Sequence, residues 1–192
     1  MNIVKGELPD VYIAQPTLFR DSRGYFFESM NFEEIQEKTG MRDIIQVNQS
    51  KSKKGVIRGL HFQKPPYTQA KLVQVVKGKV CDIIVDIRTD SPTFGQWTGM
   101  ILDGTDKMQL FIPRGFAHGF ITLSKDAIFQ YIVDNVYAPE FDSGIRFDDK
   151  VLNIDWIMKY KLIVSDKDKA LPVFNQHTFN TKMEYLQNPI KS

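Results

Sequence analysis

Short runs of Val, Ile, Phe and Tyr recur along most of this chain and predict a protein built mainly from β-strands. Clusters of Gly, Pro, Asp or Lys separate most of these runs, as is typical of strands joined by turns. The predicted strands span residues 11–20, 25–30, 43–48, 56–63, 71–77, 80–88, 95–102, 108–112, 118–123 and 127–137. Many short strands with few helices predict an all-β fold, arranged as a β-sandwich or a barrel.

Helical signals are confined to two parts of the chain. The segment NFEEIQEKTG begins with Asn31 as a candidate N-cap, continues with an acidic first turn and ends at Gly40. The region from about 148 to 192 is mixed in pattern and is expected to hold short helices. The tripeptide KGK at 77–79 predicts a tight hairpin between the strands on either side, with Gly78 free to adopt a positive φ.

Length and composition predict a single globular domain. The chain has 192 residues, of which 42% are hydrophobic and 25% charged, which is ordinary for a globular protein with a substantial core. No repeat, low-complexity tract or linker divides it, so one domain is expected over residues 1–192. Its last part, about 171–192, is a tail to which the sequence assigns no role.

Charge and cysteine content narrow the class of protein further. The net charge of +2 comes from scattered Lys and Arg, which gives no reason to expect nucleic-acid binding. The one basic cluster, Lys51, Lys53 and Lys54, is expected to be a solvated loop. The chain has no apolar run long enough to cross a membrane and no signal-peptide pattern, and its single Cys81 suits a reducing compartment, so a cytoplasmic location without membrane association is expected.

His61 and Lys71 form the clearest chemical pattern in the sequence. Strand alternation would place Ile57, Gly59, His61 and Gln63 on one face, and a lone histidine there is more often a satisfied core residue than a functional one. Lys71 argues against that interpretation, because it opens an inward-type alternation and a buried lysine is rare unless it is paired or functional. A base and a cation on neighbouring strands suit proton abstraction from a carbon beside a ketone.

A metal site fits the sequence poorly, although His118 lies in the segment PRGFAHGF, a spacing that recurs in cupin-type barrels. Three or four ligands would be needed, and the expected His-x-His pair reads His61-Phe-Gln63 here. The cation Lys71 also occupies the neighbourhood in which an acidic ligand is expected. We therefore expect no metal ion, and His177, in the polar tail, is expected to be solvated.

Other candidate residues have both a structural and a functional interpretation. Tyr131 could pack in the core, or it could face a ketone pocket as a general acid. The segment DSRGYFFE is either a solvated turn or an edge that binds anions and rings, with Arg23 on a phosphate. The segment SDKD at 165–168 is either a helix cap or the source of a carboxylate that orients His61.

These motifs closely resemble the dTDP-4-dehydrorhamnose 3,5-epimerase family. The resemblance runs from VYIAQPTLFRDSRGYFFES through QVNQSKSKKGVIRGLHFQ, QAKLVQVVKGKVCDIIVDIRTDSPTFG and FIPRGFAHGF to YAPEFDSGIRFDDKVLNIDW and VSDKD, about residues 1–170. It implies a cupin-like double-stranded β-helix that forms a homodimer, needs no metal or organic cofactor, and converts dTDP-4-dehydro-6-deoxy-D-glucose to dTDP-4-dehydro-L-rhamnose for deoxysugar biosynthesis.

The resemblance also implies roles for individual residues. His61 would be the base, oriented by Asp168, while Lys71 would steady an enolate and Tyr131 would be the acid. Residues at matching motif positions would bind the nucleotide, the diphosphate or the sugar: Arg23, Phe26, Glu28, Gln46, Asn48, Arg58, His118 and Lys167.

The sequence departs from the family pattern at a few positions and leaves alternatives open. Gln74, Ala70 and Gln49 differ from residues that are frequent in the family, and Ser143 lies near a position that is acidic in some members. These differences bear on nucleotide or sugar preference rather than on catalysis. A monoepimerase or a 3,4-ketoisomerase of a nucleotide-linked keto sugar would share the same pocket. A non-catalytic sugar-nucleotide-binding barrel is a further alternative, but it would give the base and the acid no purpose.

Overall fold

The computed structural model describes residues 1–157, 161–175 and 182, and within them the predicted all-β fold is confirmed. The strands are β1 (Asn2–Lys5), β2 (Tyr12–Gln15), β3 (Phe19–Asp21), β4 (Gly24–Phe26), β5 (Gln46–Lys53), β6 (Val56–Gln63), β7 (Lys71–Lys77), β8 (Lys79–Asp86), β9 (Trp97–Asp103), β10 (Gln109–Ile112), β11 (Phe116–Thr122), β12 (Asp126–Val133), β13 (Asp142–Gly144) and β14 (Ile163–Val164). Two short helices, α1 (Phe32–Thr39) and α2 (Asp166–Lys169), and one 3-10 turn at Pro139–Phe141 complete the described elements.

The strands form two large sheets and one separate hairpin. The first sheet has the order β1-β2-β10-β7-β12-β5, and the second has the order β13-β6-β11-β8-β9, with β14 paired in parallel to β6. Strands β3 and β4 pair only with each other in the described part of the chain. Because strands from distant parts of the chain alternate within each sheet, the chain crosses repeatedly from one sheet to the other.

Three apolar clusters hold these layers together. The central cluster draws on both sheets, with Val73 and Phe129 from the first and Ile84 and Phe120 from the second, so the two sheets pack face to face. The outer face of the first sheet is covered by α1, whose Ile35 is fully buried. The outer face of the second sheet is covered by the chain after β13, which buries large side chains there, among them Ile145, Leu152 and Trp156.

The turn at 77–79 is present, but the predicted hairpin is wrong. Gly78 has φ of 86°, and a Cβ there would lie 2.2 Å from the carbonyl oxygen of Asp126, so the turn requires glycine. The strands on its two sides belong to different sheets: β7 pairs with β10 and β12, whereas β8 pairs with β9 and β11. The turn therefore connects the two layers instead of closing a hairpin.

The predicted helix is confirmed, and the basic cluster differs from the prediction. Helix α1 is capped by the Asn31 side chain, which accepts from the backbone N–H of Glu34, and it ends at Gly40 in the left-handed conformation. Lys51 and Lys53 belong to β5, an edge strand, and only Lys54 lies in the turn. Alternation along β5 points the lysines to solvent and its serines inward, a pattern that protects an exposed edge.

Two sequence-based predictions concern residues without a described structure. His177 and most of the tail from about 171 to 192 lie outside the described residues. The expectation of short helices after residue 148 is met within the described part by α2. None of the described helices is both long and apolar enough to cross a lipid bilayer.

Candidate active site

A two-part pocket opens between the two sheets and collects most of the candidate residues. Its compartments have volumes of about 330 and 340 Å³ and share four lining residues. The four shared residues are His61, Lys71, Tyr131 and Lys167. One compartment is also lined by Ser50, Arg58, His118, Gly119, Phe120, Phe129, Ser165 and Asp168. The other is also lined by Gln46, Asn48, Phe62, Gln63, Gln69, Tyr137 and Asp142.

His61 and Asp168 form a hydrogen-bonded dyad at the pocket wall. Nε2 of His61 lies 2.7 Å from Oδ1 of Asp168, and the backbone N–H of Gly59 donates to the other carboxylate oxygen at 3.3 Å. Burial by itself would raise the pKa of Asp168, but the hydrogen bonds from His61 and from Gly59 outweigh it, so the pKa lies below its ordinary value. Asp168 is therefore ionised at neutral pH and orients the imidazole.

Helix α2 brings Asp168 to this position although the helix is only one turn long. The Oγ of Ser165 caps it by accepting from the backbone N–H of Asp168 at 3.1 Å. Of its other three charged side chains, Asp166 and Lys169 pair with each other at the surface, and Lys167 pairs with Asp142. The segment SDKD at 165–168 therefore provides both a helix cap and a carboxylate that is hydrogen-bonded to His61.

A bulge in β6 directs His61 into the pocket, and it corrects the predicted face of this strand. In the pairing with β11, His118 lies opposite His61, but Phe120 lies opposite Arg58, so β6 carries one extra residue. As a result Ile57 packs in the outer cluster of the second sheet, while Arg58 and His61 both line the pocket. Strict alternation had wrongly placed Ile57 and His61 on one face.

Gly59 makes this bulge possible. Its φ is +116°, a region that only glycine adopts readily. A Cβ at this position would lie 2.6 Å from both the Cα of Gly119 and the carbonyl oxygen of His118. Gly119 belongs to β11, so β6 and β11 approach each other closely at a point where both strands have a glycine.

Lys71 lies at the start of β7, at the junction of the two compartments. Its strand neighbours Val73 and Val75 are buried in the central cluster, as the alternation predicted. Burial lowers the pKa of Lys71 to about 8, although the charges of Asp142 and Asp82 oppose that shift. At neutral pH Lys71 is thus a partly buried cation that lines the pocket.

Tyr131 lies on β12, the strand next to Lys71. Its ring packs on the central cluster near Phe129, with ring centroids 6.3 Å apart. Burial raises the pKa of Tyr131, while the charge of Arg58 opposes this rise. Tyr131 lines the pocket, and its hydroxyl has no hydrogen-bond partner among the residues that the structure describes. Tyr131 is therefore a packed aromatic whose hydroxyl is neutral at neutral pH.

His118 has a carboxylate partner, Asp82, that sequence reasoning missed. Nε2 of His118 lies 2.9 and 3.0 Å from the two carboxylate oxygens of Asp82, and both residues are buried. Burial raises the pKa of Asp82, and the nearby charges of His118 and Lys71 oppose this rise. The signal was present in the sequence, because an aspartate in the middle of the apolar run VCDIIVD needs a buried partner.

Asp142 is a second carboxylate that sequence reasoning missed. Its Oδ2 accepts from Nζ of Lys167 at 2.6 Å and from the hydroxyl of Tyr137 at 3.2 Å. The hydrogen bond with Asp142 raises the pKa of Lys167 above its ordinary value. This group forms the rim of the second compartment, and no motif in the sequence had joined its members.

The remaining polar candidates of the pocket are Gln46, Asn48 and Arg58. Nε2 of Gln46 donates to Oδ1 of Asn48 at 2.6 Å, both on β5. Nε of Arg58 donates to Oγ of Ser52 at 3.0 Å, which fixes the guanidinium beside the pocket. The structure thus collects these three candidates in the pocket.

Three candidate residues lie away from the pocket of their own chain. Arg23, Phe26 and Glu28 belong to the hairpin segment around β3 and β4, and none of them lines either compartment. The Arg23 side chain is 88% exposed and pairs with Asp21, while Phe26 is 71% exposed. Within one chain, therefore, this part of the predicted site is not assembled.

No metal-binding group of three or more His, Cys, Asp or Glu side chains is found among residues 1–157, 161–175 and 182. The two histidines of the pocket each have their own carboxylate partner, Asp168 for His61 and Asp82 for His118. The cation Lys71 lines the same pocket from the other sheet. Such a site is suited to acid–base chemistry on an anionic intermediate.

Comparison with known proteins agrees with this geometry. The family model described as dTDP-4-dehydrorhamnose 3,5-epimerase matches residues 5–176. The dTDP-4-dehydrorhamnose 3,5-epimerase of Shigella flexneri is 50% identical over 169 residues, which cover 88% of this chain and 93% of that protein.

Two solved structures share the fold. The crystal structure of dTDP-4-dehydrorhamnose 3,5-epimerase from Elizabethkingia anophelis has a TM-score of 0.86 and 46% identity, covering 91% of this chain and 96% of that one. The dTDP-6-deoxy-D-glucose-3,5-epimerase from Legionella pneumophila, solved in complex with dTDP-4-keto-L-rhamnose, has a TM-score of 0.86 and 44% identity, covering 90% and 92%. The likeness confirms the predicted cupin-like barrel. On the combined evidence of the family model, its relatives and their fold, this chain belongs to the dTDP-4-dehydrorhamnose 3,5-epimerase family.

Proposed function

We propose that this protein epimerises dTDP-4-dehydro-6-deoxy-D-glucose at C3 and C5, giving dTDP-4-dehydro-L-rhamnose for deoxysugar biosynthesis. The observation that carries this proposal is the convergence of the His61–Asp168 dyad, Lys71 and Tyr131 on one pocket. The family membership of the chain supports the choice of substrate. The protein is accordingly proposed to be an isomerase that needs no metal or organic cofactor.

The substrate itself explains why so few groups are needed. C3 and C5 both lie beside the C4 ketone, so removing a proton from either carbon sends the electron pair to the same ketone oxygen. A single cation near that oxygen therefore serves both inversions. The ketone acts as the electron sink, and activity is expected to persist after prolonged treatment with EDTA.

His61 is proposed to be the base. Because the ionised carboxylate of Asp168 can only accept a hydrogen bond, the proton of a neutral imidazole lies on Nε2. The other ring nitrogen, Nδ1, then carries the lone pair that removes the proton from carbon. Asp168 also stabilises the imidazolium that forms, which is the usual role of a carboxylate behind a catalytic histidine.

Lys71 is proposed to stabilise the enolate. Its ammonium group is held in the pocket wall, where the low local dielectric strengthens its attraction for an oxyanion. Charge stabilisation of this kind contributes about 3 kcal/mol or more to a transition state. The negative charges of Asp142 and Asp82 favour the protonated form of Lys71, so that the cation is present at neutral pH.

Tyr131 is proposed to return a proton on the face of the ring opposite His61. The raised pKa of Tyr131, caused by burial, keeps its hydroxyl protonated at neutral pH. Inversion follows when the proton leaves to one face and arrives from the other. Lys71 lies on the neighbouring strand, where Val133 of β12 is its register partner, so acid and cation flank the same space.

Binding roles are proposed for the other pocket residues. Arg58 and Lys167 supply positive charge for the diphosphate, which bidentate and charge-assisted hydrogen bonds recognise well. Gln46, Asn48 and His118 are placed to contact the sugar or the nucleotide. These assignments concern affinity, so their removal should raise KM more than it lowers kcat.

A homodimer is proposed to complete the site. Arg23, Phe26 and Glu28 lie on an exposed segment away from their own pocket, and a second copy could place them over the nucleotide. Light scattering at micromolar concentration tests this proposal, because a fully active monomer would contradict it.

The buried, free Cys81 agrees with a cytoplasmic location, which we also infer.

The decisive experiment is proton NMR of the substrate with the protein in D2O. Deuterium should enter at both C3 and C5 with the wild-type protein, and His61→Ala should abolish exchange at both carbons while the fold is kept. Exchange at one carbon only would indicate a monoepimerase. Near-normal exchange in folded His61→Ala would refute the assignment of the base.

A further inference from the structure

Lys107 and Gln109 are two buried polar residues that the proposed reaction does not use. Their exposed fractions are 5% and 1%, and neither lines the two-part pocket. Lysine and glutamine are seldom buried without a specific partner, because their polar groups lose water. Each of these side chains also contacts the segment that contains the β3–β4 hairpin.

The ammonium of Lys107 is covered by aromatic rings. It donates to the carbonyl oxygen of Val76 at 3.2 Å and lies 4.9 Å from the ring centroid of Tyr25 and 5.9 Å from that of Phe27. Lys107 forms no ion pair with a carboxylate in the part of the chain that the structure describes. The hydrogen bond to Val76 and the cation–π attraction of Tyr25 and Phe27 therefore compensate this buried charge together.

Tyr25 is held from a second side as well. The guanidinium of Arg20 lies 5.8 Å from the centroid of the Tyr25 ring, and its NH2 group donates to the carbonyl oxygen of Thr105 at 3.1 Å. Arg20 and Tyr25 are register partners in the hairpin. One face of the hairpin is thus fixed to the loop that precedes β10.

Gln109 fixes the end of the same segment. Its Nε2 donates to the carbonyl oxygen of Ser29 at 2.5 Å and to Oε1 of Gln74 at 3.1 Å. Gln109 belongs to β10 in the middle of the first sheet, and Lys107 lies two positions before it. The hairpin segment is therefore tied at two points to a rigid part of the barrel.

The opposite face of the hairpin is free and carries the residues proposed to reach a second subunit. Phe19 and Phe26 are register partners with ring centroids 6.4 Å apart, and they are 62% and 71% exposed. Arg23, in the turn between them, is 88% exposed. Alternation along the two strands separates this face from the face that holds Arg20 and Tyr25.

We propose that Lys107, supported by Gln109, is a positioning residue that fixes the β3–β4 hairpin so that Arg23 and Phe26 reach the nucleotide in a second copy of the chain. This inference rests on the proposed function and on its dimer. Lys107 touches neither the substrate nor the reacting groups of its own pocket. Its effect is therefore on the affinity for the nucleotide and not on the chemical step.

The first test measures dTDP binding by calorimetry, together with kcat and KM, for Lys107→Met. We expect the affinity for dTDP to fall about tenfold and KM to rise about as much, with kcat within about twofold of the wild type. Lys107→Arg should restore most of the affinity, because it returns a cation to the aromatic faces. Lys125→Met, at an exposed position, is the matched control and should change nothing.

A second variant covers the case in which Lys107→Met does not fold. Tyr25→Leu removes the ring face from the other side of the contact, and Tyr25 is half exposed, so the core is not disturbed. It should show the same loss of dTDP affinity with kcat preserved. Unchanged affinity in folded Tyr25→Leu and Lys107→Met would overturn the inference.

A double-mutant cycle that combines Lys107→Met with Arg23→Ala shows whether Lys107 acts through Arg23. If Lys107 acts by positioning Arg23, the double variant should lose little more affinity than Arg23→Ala alone. Fully additive losses would contradict the inference. The measurement of dTDP binding does not depend on turnover. If the wild-type protein exchanged neither C3 nor C5, the proposed epimerase would be refuted. Weaker dTDP binding by Lys107→Met would still support the positioning role.

Discussion

The imidazole of His61 lies 2.7 Å from the carboxylate of Asp168, which comes 107 positions later in the chain. Asp168→Asn should keep the helix and the packing but lose the ionised acceptor that fixes the imidazole tautomer. We expect exchange at C3 and C5 to fall by about 10²-fold or more, to a level between that of the wild type and that of His61→Ala. Proton NMR in D2O measures both rates on one sample.

A neighbouring residue provides the control for Asp168→Asn. Asp166 lies on the same helix with its side chain 99% exposed, so Asp166→Asn makes the same chemical change away from the dyad. It should have near-normal activity. Equal losses of activity in Asp166→Asn and Asp168→Asn would mean that activity depends on the helix and not on the dyad.

Lys71 is expected to lower the free energy of unfolding although it serves catalysis. Its pKa falls to about 8 because burial disfavours the charged form, so protonated Lys71 destabilises the folded protein at neutral pH. The shift converts to at most about 3 kcal/mol, and contact with the pocket reduces this figure. Lys71→Met should therefore raise the free energy of unfolding by about 1–3 kcal/mol and abolish exchange at C3 and C5. A variant that is less stable than the wild type would contradict this account of Lys71.

The same group predicts an alkaline limit to activity. Lys71 must be protonated to stabilise the enolate, and its pKa of about 8 means that the cation is lost as the pH rises through that value. The rate of exchange should therefore decline above about pH 8. The buried charge destabilises the folded protein fully below about pH 8, and this destabilisation decreases as the pH rises from the folded pKa of Lys71 to its ordinary value of 10.5. The gain in the free energy of unfolding from Lys71→Met should therefore decrease over the same range. Denaturation of both proteins at pH 7 and pH 10 tests the sign.

Gly59 is predicted to be the most sensitive backbone position of the site. Gly59→Ala would place a Cβ 2.6 Å from β11 at a φ of +116°, so the bulge that directs His61 would have to shift. We expect a loss of about 3 kcal/mol or more in the free energy of unfolding, and impaired exchange in any protein that still folds. Chemical denaturation monitored by tryptophan fluorescence measures the loss.

Gly24→Ala separates backbone conformation from the clash. Gly24 has φ of +134°, but a Cβ there meets nothing within 4 Å. It should therefore cost only about 1–2 kcal/mol, the part that is due to backbone conformation. If both variants lose the same stability, the close approach of β6 and β11 is not the cause.

Much of the fold could be predicted from the sequence because short apolar runs between turn residues are a local signal. Helix α1 was predicted with both of its caps, since Asn31 and Gly40 act within one turn of themselves. The inward alternation from Lys71 was predicted for the same reason. What local signals do not contain is the identity of each strand's partner, and so the turn at 77–79 was interpreted as a hairpin although it joins two sheets.

For the site, too, some residues could be predicted from the sequence and others could not. The family resemblance implied His61, Lys71 and Tyr131 as site residues, and the structure brings all three to one pocket. Strand alternation failed at β6 because a bulge shifts the face by one residue, and nothing in the run RGLHFQ except Gly59 indicates it. Asp82 was missed as the partner of His118 because their pairing depends on two adjacent strands of the folded sheet.

Tyr131→Phe separates the acid from the base. The variant keeps the ring that packs near Phe129 and removes only the hydroxyl, so stability should change little. His61 would still remove protons, and deuterium would still enter from solvent. Inversion at one or both carbons should fall by about 10²-fold or more, which is the usual contribution of a positioned acid.

The measurement for Tyr131→Phe follows deuterium incorporation and ring stereochemistry by NMR in the same sample. Exchange without inversion shows that the enolate forms and is reprotonated from the face on which His61 lies. The hydroxyl has no hydrogen-bond partner among the described residues, so its removal leaves no buried group unpaired and the loss can be attributed to proton donation. Inversion at the wild-type rate would show that water or another group is the donor, and Tyr131 would then serve the pocket only as a packed aromatic side chain.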